Sequence, residues 1–174
     1  MRSLYFVLLT MSPAGHDKYT EIVYDGYLVE ISDFANIGLI FDNYKWFEEF
    51  AWSSREEKDG HMVTFKGIVP DAKAVEDFHI NNQYNWRLSF KAMQLSEYYG
   101  LDKDKTKLSL TVNFFIKKGG RLFVTHSGSL GILSQKNGTW RQVALSDKSL
   151  LTVIEGIYTN QNPYVSLVLG LPYK

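Results

Sequence analysis

Between positions 107 and 116 every second residue is apolar and the residues between them are mostly polar, which is the strongest pattern in the chain. Because successive side chains of a β-strand point to opposite faces, this alternation predicts a strand with one buried face. Two consecutive glycines at positions 119 and 120 predict a turn, and Leu122 to Thr125 a returning strand. The apolar members of the pattern are Leu108, Leu110, Val112, Phe114 and Ile116.

Two more pairs of strands are predicted around short polar segments. Trp46 to Ser54 and His61 to Val69 flank a polar segment that ends in an Asp-Gly dipeptide, which is typical of hairpin turns. Ser129 to Leu133 and Thr139 to Leu145 flank an Asn-Gly dipeptide with the same preference. A weaker alternation from Lys18 to Ile31, around another Asp-Gly dipeptide, predicts a further strand with a turn.

Three helices are predicted from apolar residues that recur three or four positions apart. The first follows Asn36, whose side chain can cap it, and the third begins at Ser146 or Asp147 and ends near Asn160. A second helix, from Asn82 to Tyr99, is supported by a poorer pattern. The apolar faces are formed by Ile37, Ile40, Phe41 and Tyr44 in the first helix and by Leu150, Leu151, Ile154, Ile157 and Tyr158 in the third.

Antiparallel strands with helices set apart in sequence predict an α+β fold, in which a curved antiparallel sheet is covered on one side by two or three helices. The length of 174 residues suits a single domain over the whole chain. Residues 1–15 are either a signal-like segment or an N-terminal strand. Residues 159–174 form an apolar tail, and a homodimer through this tail is predicted because an exposed apolar edge invites association.

Composition narrows the classes of function. Lysine plus arginine and aspartate plus glutamate both number 19, and no basic stripe is present, so binding to duplex nucleic acid is not predicted. The absence of cysteine excludes disulfides, thiolate nucleophiles and cysteine-ligated metals. No stretch approaches the length of a membrane-spanning helix. Since no nucleophile-elbow motif and no phosphate-binding loop occurs, no cofactor is predicted.

The aromatic content of 15% is high, and rings are dense on the first predicted hairpin strand. In an extended segment Trp46, Phe50 and Trp52 share one face and Phe47 takes the other, so not all four rings can point inward. These four residues are the predicted binding residues for a protein or small-molecule ligand. The alternative interpretation is that another element covers them and that they belong to the core.

A catalytic alternative rests on a few polar residues. His126 follows Leu122 and Val124 on what should be the inward face of a strand, and a core histidine there could serve as a general base. Asp42, paired with Tyr24 or Tyr44, could transfer protons in a pocket of a cone-shaped α+β fold. A small enzyme or ligand carrier of this kind would use His126, Asp42 and Tyr44. The structural interpretation is a satisfied core histidine and a solvated aspartate on the back of the helix. No metal site is predicted, because the four histidines lie far apart.

Several stretches resemble a group of small uncharacterised bacterial proteins that are often exported or lipid-anchored. The resemblance is carried by DGYLVEI, IGLIFDNYKWFEEFAWSS, VTFKG, LSLTVNFFIKKGGRLFV and LLTVIEGIY. It implies a location in the bacterial cell envelope or periplasm, with the cytoplasm as the alternative, and a mainly structural aromatic cluster. Lipid anchoring is not implied, because no cysteine follows the signal-like segment. The predicted function is a non-enzymatic binding module with an unknown partner.

Overall fold

A five-stranded antiparallel sheet is the centre of the fold. The structure is a computed structural model that describes residues 16–70, 87, 90, 94, 106–134, 139–163 and 165–166. The strands lie side by side in the order of the sequence, and all neighbours are antiparallel. They are β1 (Glu49–Glu57), β2 (Gly60–Pro70), β3 (Thr106–Lys117), β4 (Phe123–Ser134) and β5 (Thr139–Leu145).

The main described helices are α1 (Lys18–Tyr24), α2 (Ile37–Asp42) and α3 (Asp147–Tyr158). Helix α1 contacts β1 and β2, α3 contacts β4 and β5, and α2 contacts both α1 and α3. The order of elements and the antiparallel sheet confirm the predicted α+β fold.

One face of the sheet carries the core. Phe65 of β2 is paired with Val112 of β3, Phe114 lies two positions further along, and all three are fully buried. Helix α2 supplies Phe41, whose ring meets that of Phe65 edge-on with 4.7 Å between centroids. We call this the inner face, and the opposite face, to which Asn113 belongs, the outer face. Since side chains alternate along a strand, the inner face takes the apolar half of the alternating pattern.

Residues 18–31 form a helix and a loop, and the predicted strand in this segment is wrong. Asp17 caps α1 by accepting hydrogen bonds from two backbone N–H groups of the first turn, at 2.9 and 3.2 Å. Gly26 follows α1 and does not lie in a hairpin turn. A Cβ at this position would overlap the ring of Phe123. The glycine is needed because the chain passes so close to that ring, not because of a turn conformation.

The predicted hairpin of β1 and β2 is confirmed, with shifted bounds. The two strands pair from Glu49 opposite Ile68 to Glu57 opposite Gly60. β1 therefore starts three residues after the predicted position, Trp46, which lies in the preceding turn.

β4 is one continuous strand, although the sequence predicts two segments over residues 122–125 and 129–133. Its turn from β3 is confirmed at Gly119, which has a φ of 72° that favours glycine. The predicted pairing with residues 139–145 is also confirmed, because β4 pairs with β5 along the whole length of β5.

A β-bulge interrupts the pairing of β3 and β4. Asn113 lies opposite Ser127 and Phe114 lies opposite Thr125, so His126 is the additional residue between them. A bulge bends its strand and changes the direction of nearby side chains.

Both predicted helix caps are confirmed. The side chain of Asn36 accepts a hydrogen bond from the backbone N–H of Leu39 at 2.9 Å, at the start of α2. The hydroxyl of Ser146 accepts one from the backbone N–H of Ser149 at 3.2 Å, at the start of α3. Each bond satisfies an N–H group that has no partner within its helix.

Some predictions concern segments that the structure describes only in part or not at all. Arg87, Phe90 and Gln94 are helical, as expected for a helix over residues 82–99, and the rest of that helix lies outside the described residues. Residues 1–15 and most of the C-terminal tail also lie outside them, so the alternatives for these segments stay predictions. None of the helices within the described ranges is long and apolar enough to cross a membrane.

Helix α3 ends in a Schellman motif. The N–H of Gln161 donates to the carbonyl oxygen of Gly156 at 2.7 Å, and that of Asn160 to the carbonyl oxygen of Ile157 at 3.0 Å. Asn160 has a φ of 51°, in the left-handed region that asparagine tolerates and glycine prefers. This ending directs Gln161 toward Tyr44, whose hydroxyl donates to the Gln161 carbonyl oxygen at 2.6 Å.

We expect Asn160→Gly to raise the free energy of unfolding by up to about 1 kcal/mol, because glycine adopts positive φ without strain. Thr159→Gly is the matched control: Thr159 has an ordinary φ of −91° and its hydroxyl bonds Glu155. This control should lower the stability by about 1 kcal/mol. Urea unfolding followed by circular dichroism measures both values, and changes of the same sign would contradict the assigned role of Asn160.

Candidate functional site

The carboxylate of Asp42 joins three elements of the fold. Asp42 is the last residue of α2, and its Oδ2 accepts a hydrogen bond of 2.6 Å from the hydroxyl of Tyr24 in α1. Its Oδ1 accepts one of 3.0 Å from the indole N–H of Trp52 in β1. Both oxygens therefore have neutral donors, in a partly buried position where hydrogen bonds to a charged group are strong.

Tyr24 is held on both sides. Its ring lies so close to Gly38 of α2 that a Cβ at position 38 would overlap it. The ring of Trp52 approaches at 5.7 Å between centroids and that of His16 at 4.8 Å. Burial raises the pKa of the Tyr24 phenol, and the hydrogen bond to Asp42 and the nearby negative charges raise it further. Tyr24 is therefore a neutral donor at physiological pH.

Of the two partners predicted for Asp42, the hydrogen bond to Tyr24 is confirmed and the pairing with Tyr44 is wrong. Asp42 is partly buried, so the interpretation as a solvated residue on the back of the helix is also wrong. Tyr44 is buried, which raises the pKa of its phenol, and its hydroxyl bonds the backbone of Gln161. Asp42 and Tyr44 thus have separate partners.

The expected inward position of His126 is wrong. Phe123 is the fully buried residue of this part of β4, paired with the equally buried Ile116, whereas Leu122 is 41% exposed. His126 is exposed and approaches the ring of Phe115 on the outer face, at 6.0 Å between centroids. The sheet therefore separates it from Asp42 on the inner side. An alternating pattern shows that one face is buried but does not reveal a bulge.

The four aromatic residues predicted to bind a ligand differ in exposure. Trp46 is buried in the core, and Phe47 and Trp52 are partly buried and pack against it. Phe47 covers Gly67 of the inner face, so its predicted position on the opposite face is wrong. Phe50 is 45% exposed, and it alone of the four presents a large ring surface to solvent.

A second polar group surrounds the start of α1. Partial burial acts to raise the pKa of Asp17, but hydrogen bonds from Thr20, Ser54 and Tyr19 outweigh it and hold the pKa below the usual value. The Tyr19 ring stacks on His61 at 3.4 Å between centroids. Across the described residues, no group of three or more metal-ligating side chains could hold a metal ion. The chemistry here fits a helix cap.

The loop of residues 27–36 is the most exposed apolar feature of the described chain, and we call it the acidic loop. Tyr27 and Asn36 close it with a β-bridge, and the buried Leu28 accepts two backbone hydrogen bonds at 2.7 and 2.8 Å. Phe34 is 90% exposed and Val29 is 52% exposed.

Two carboxylates accompany these apolar side chains. Glu30 and Asp33 are exposed in the same loop, and Leu39, in the first turns of α2 just after the loop, is 53% exposed. This surface was not predicted from the sequence, because the predicted strand extended to Ile31. The sequence feature that could have indicated this exposed loop is Phe34 directly after Ser32 and Asp33, two residue types that favour turns.

Comparison of the chain with protein-family models, with curated proteins and with solved structures found no match.

We expect Asp42→Ala to lower the free energy of unfolding by about 2–4 kcal/mol, because two partly buried donors lose their charged acceptor. Asp33→Ala is the matched control, since this carboxylate is exposed in the acidic loop. It should change the stability by less than about 0.5 kcal/mol. Chemical denaturation of both variants checks the difference, and equal effects would show that Asp42 is not a structural link.

The raised pKa of Tyr24 has a consequence at alkaline pH. Below the ordinary phenol pKa of about 10 the group is protonated in both states, so its contribution to stability is complete. Above that pH the unfolded state loses the proton first, and the stability falls as pH rises toward the folded pKa. We expect Tyr24→Phe to have a shallower decline above pH 10 than the wild type, measured by urea unfolding at several pH values. Identical slopes would contradict the assignment.

Proposed function

We propose that the protein is a non-enzymatic binding module that captures another protein through its acidic loop. The observation that carries this proposal is the 90% exposure of Phe34 on a loop whose ends are fixed by hydrogen bonds. An isolated exposed leucine is ordinary on protein surfaces, but here Val29, Phe34 and Leu39 occur together on one short segment and the helix that follows.

Burial of Phe34 against a partner would contribute substantial binding energy. Full burial of a phenylalanine side chain is worth about 1.5–3 kcal/mol. The acidic loop loses little conformational entropy on binding, because Leu28 anchors it and the N–H of Ile37 bonds the carbonyl oxygen of Gly26 at 2.8 Å. An exposed aromatic side chain on a loop whose ends are fixed has the properties of a binding hot spot.

The charges of the acidic loop indicate the chemistry of the partner. Glu30 and Asp33 flank the apolar positions, so the complementary surface is an apolar pocket with a rim of lysine or arginine. Such a rim also favours the encounter of the two proteins through long-range attraction.

The alternative of a small pocket enzyme receives less support from the geometry. Each oxygen of Asp42 already accepts a hydrogen bond, and His126 lies on the other face of the sheet. A location in the bacterial envelope is part of the proposal that rests on the sequence resemblance alone.

The experiment is a quantitative capture from lysate of the source cells with the wild type, Phe34→Ser and Phe50→Ser. We expect at least one protein whose recovery depends on Phe34 and is unchanged by Phe50→Ser, since Phe50 lies on β1 with its ring near Phe65 and is not part of the acidic loop. Its dissociation constant should rise at least tenfold in Phe34→Ser, equivalent to about 1.4 kcal/mol.

Two controls make the result decisive. Thermal unfolding should show that Phe34→Ser keeps the wild-type stability, because the side chain is almost fully exposed. Binding should weaken as the salt concentration rises, and Glu30→Gln with Asp33→Asn should remove most of this dependence. Recovery that depends on Phe50 and not on Phe34 would refute the acidic loop as the binding surface.

A further inference from the structure

The outer face of the sheet carries an indole that lies against the backbone. Trp140 of β5 is 41% exposed. A Cβ added to Gly131, in the neighbouring strand β4, would lie 3.1 Å from the Trp140 ring and 3.1 Å from the side-chain amide of Gln142. The ammonium group of Lys66 in β2 lies 6.0 Å from the ring centroid. The indole therefore extends across the outer face, and the lack of a side chain at Gly131 makes room for it.

Small polar side chains continue from the indole along this face. Ser129 lies two positions from Gly131 in β4 and is paired with Thr111 of β3, and Ser127 is paired with Asn113. We call Thr111, Asn113, Ser127 and Ser129 the polar strip, and all four are partly exposed. From Gly131 to Ser127 the strip runs for about 13 Å, at roughly 3.3 Å per residue of a strand.

The far end of the polar strip is ordered by its own hydrogen bonds. The hydroxyl of Thr64 donates to Oδ1 of Asn113 at 2.8 Å, and Nδ2 of Asn113 donates to Oγ of Ser127 at 3.0 Å. The amide nitrogen has a second N–H group, and a serine hydroxyl that accepts a hydrogen bond can also donate one. These donors are therefore held in place before a ligand arrives, which lowers the entropic cost of binding.

The polar strip consists of hydroxyl and amide groups and has no charge of its own. Among the described residues, one ammonium group lies beside it, that of Lys66, which is opposite Thr111. Lys107, further along β3, forms an ion pair of 3.6 Å with Glu48. Proteins that bind single-stranded nucleic acid use a positively charged groove that follows the phosphates. The charge of this face instead suits an uncharged polar ligand.

We propose that the outer face binds a neutral oligosaccharide, with one sugar ring stacked on Trp140 and the following units bonded to the polar strip. A pyranose ring has apolar C–H groups on its faces and hydroxyl groups around its rim. The indole provides a flat apolar surface for the C–H groups, and placed polar side chains fix the orientation of the ligand. The strip has room for about two or three sugar units of roughly 5 Å each.

The groups around the indole match the hydroxyl groups of the stacked sugar. The ammonium group of Lys66 donates hydrogen bonds, and the amide of Gln142 both donates and accepts them. This site shares no residue with the acidic loop. It also lies on the face of the sheet opposite to the one that α2 covers through Phe41.

The affinity should depend on the length of the oligosaccharide. An open sheet face contacts one side of a ligand, whereas a pocket buries most of it, so a single sugar should bind weakly. Each further unit reaches more of the polar strip. We therefore expect the affinity to rise with length and to level off near about three units, where the strip is filled.

Fluorescence and calorimetric titrations of the full chain test the proposal. The probes are cello-, malto- and N-acetylated chito-oligosaccharides, from dimers to hexamers, with single-stranded oligouridylate as the competing class. We expect at least one sugar series to bind and to change the tryptophan emission. Trp140→Ala should raise its dissociation constant at least about tenfold, because the stacking surface is lost. Trp140→Phe keeps a smaller ring, so it should retain part of the affinity and lose the change in emission.

Two further variants locate the contact. Leu122→Ala is the matched control, since Leu122 is also 41% exposed but precedes β4 and lies outside the polar strip, and it should leave binding unchanged. Asn113→Ala should weaken the binding of the longer oligosaccharides more than that of the dimers, because Asn113 lies at the far end of the strip. Circular dichroism checks that each variant is folded.

Several results would overturn the proposal. One is the failure of all three sugar series to bind, and another is sugar binding that Trp140→Ala leaves unchanged or weakens no more than Leu122→Ala does. Preferred binding of oligouridylate with a steep dependence on salt would also overturn it, and would identify the face as a site for single-stranded nucleic acid.

Discussion

The packing of α1 and α2 on strand β1 depends on one carboxylate, that of Asp42. It accepts hydrogen bonds from Tyr24 and Trp52, and so connects α2 to α1 and to β1. Trp52 in turn packs on Phe65 at 4.9 Å between centroids, in the middle of the inner face. Without this acceptor a phenol and an indole would be left partly buried and unpaired, which costs more than the hydrogen bonds themselves contribute. The polar link therefore determines how an otherwise apolar contact is aligned.

Two glycines make this link possible. Gly38 lets the Tyr24 ring lie directly on the backbone of α2, and Gly26 lets the chain pass the ring of Phe123. Both glycines flank the acidic loop, and the N–H of Ile37 bonds the carbonyl oxygen of Gly26. The loop therefore starts and ends on closely packed backbone. This explains how a short exposed segment can hold apolar side chains away from the core: its ends are fixed by packing that the tip residues do not share.

The sequence predicted the fold best where a single physical rule dominates. An apolar residue at every second position identified β3, and the caps of α2 and α3 were found at Asn36 and Ser146 because a polar side chain precedes a helical apolar pattern. Helix α1 was missed although Asp17 can cap it, since a seven-residue helix offers few repeats of its period. The position of His126 could not be predicted, because a bulge depends on the pairing of two distant segments. The exposed Phe34 was overlooked for the same kind of reason: burial is decided by contacts between elements.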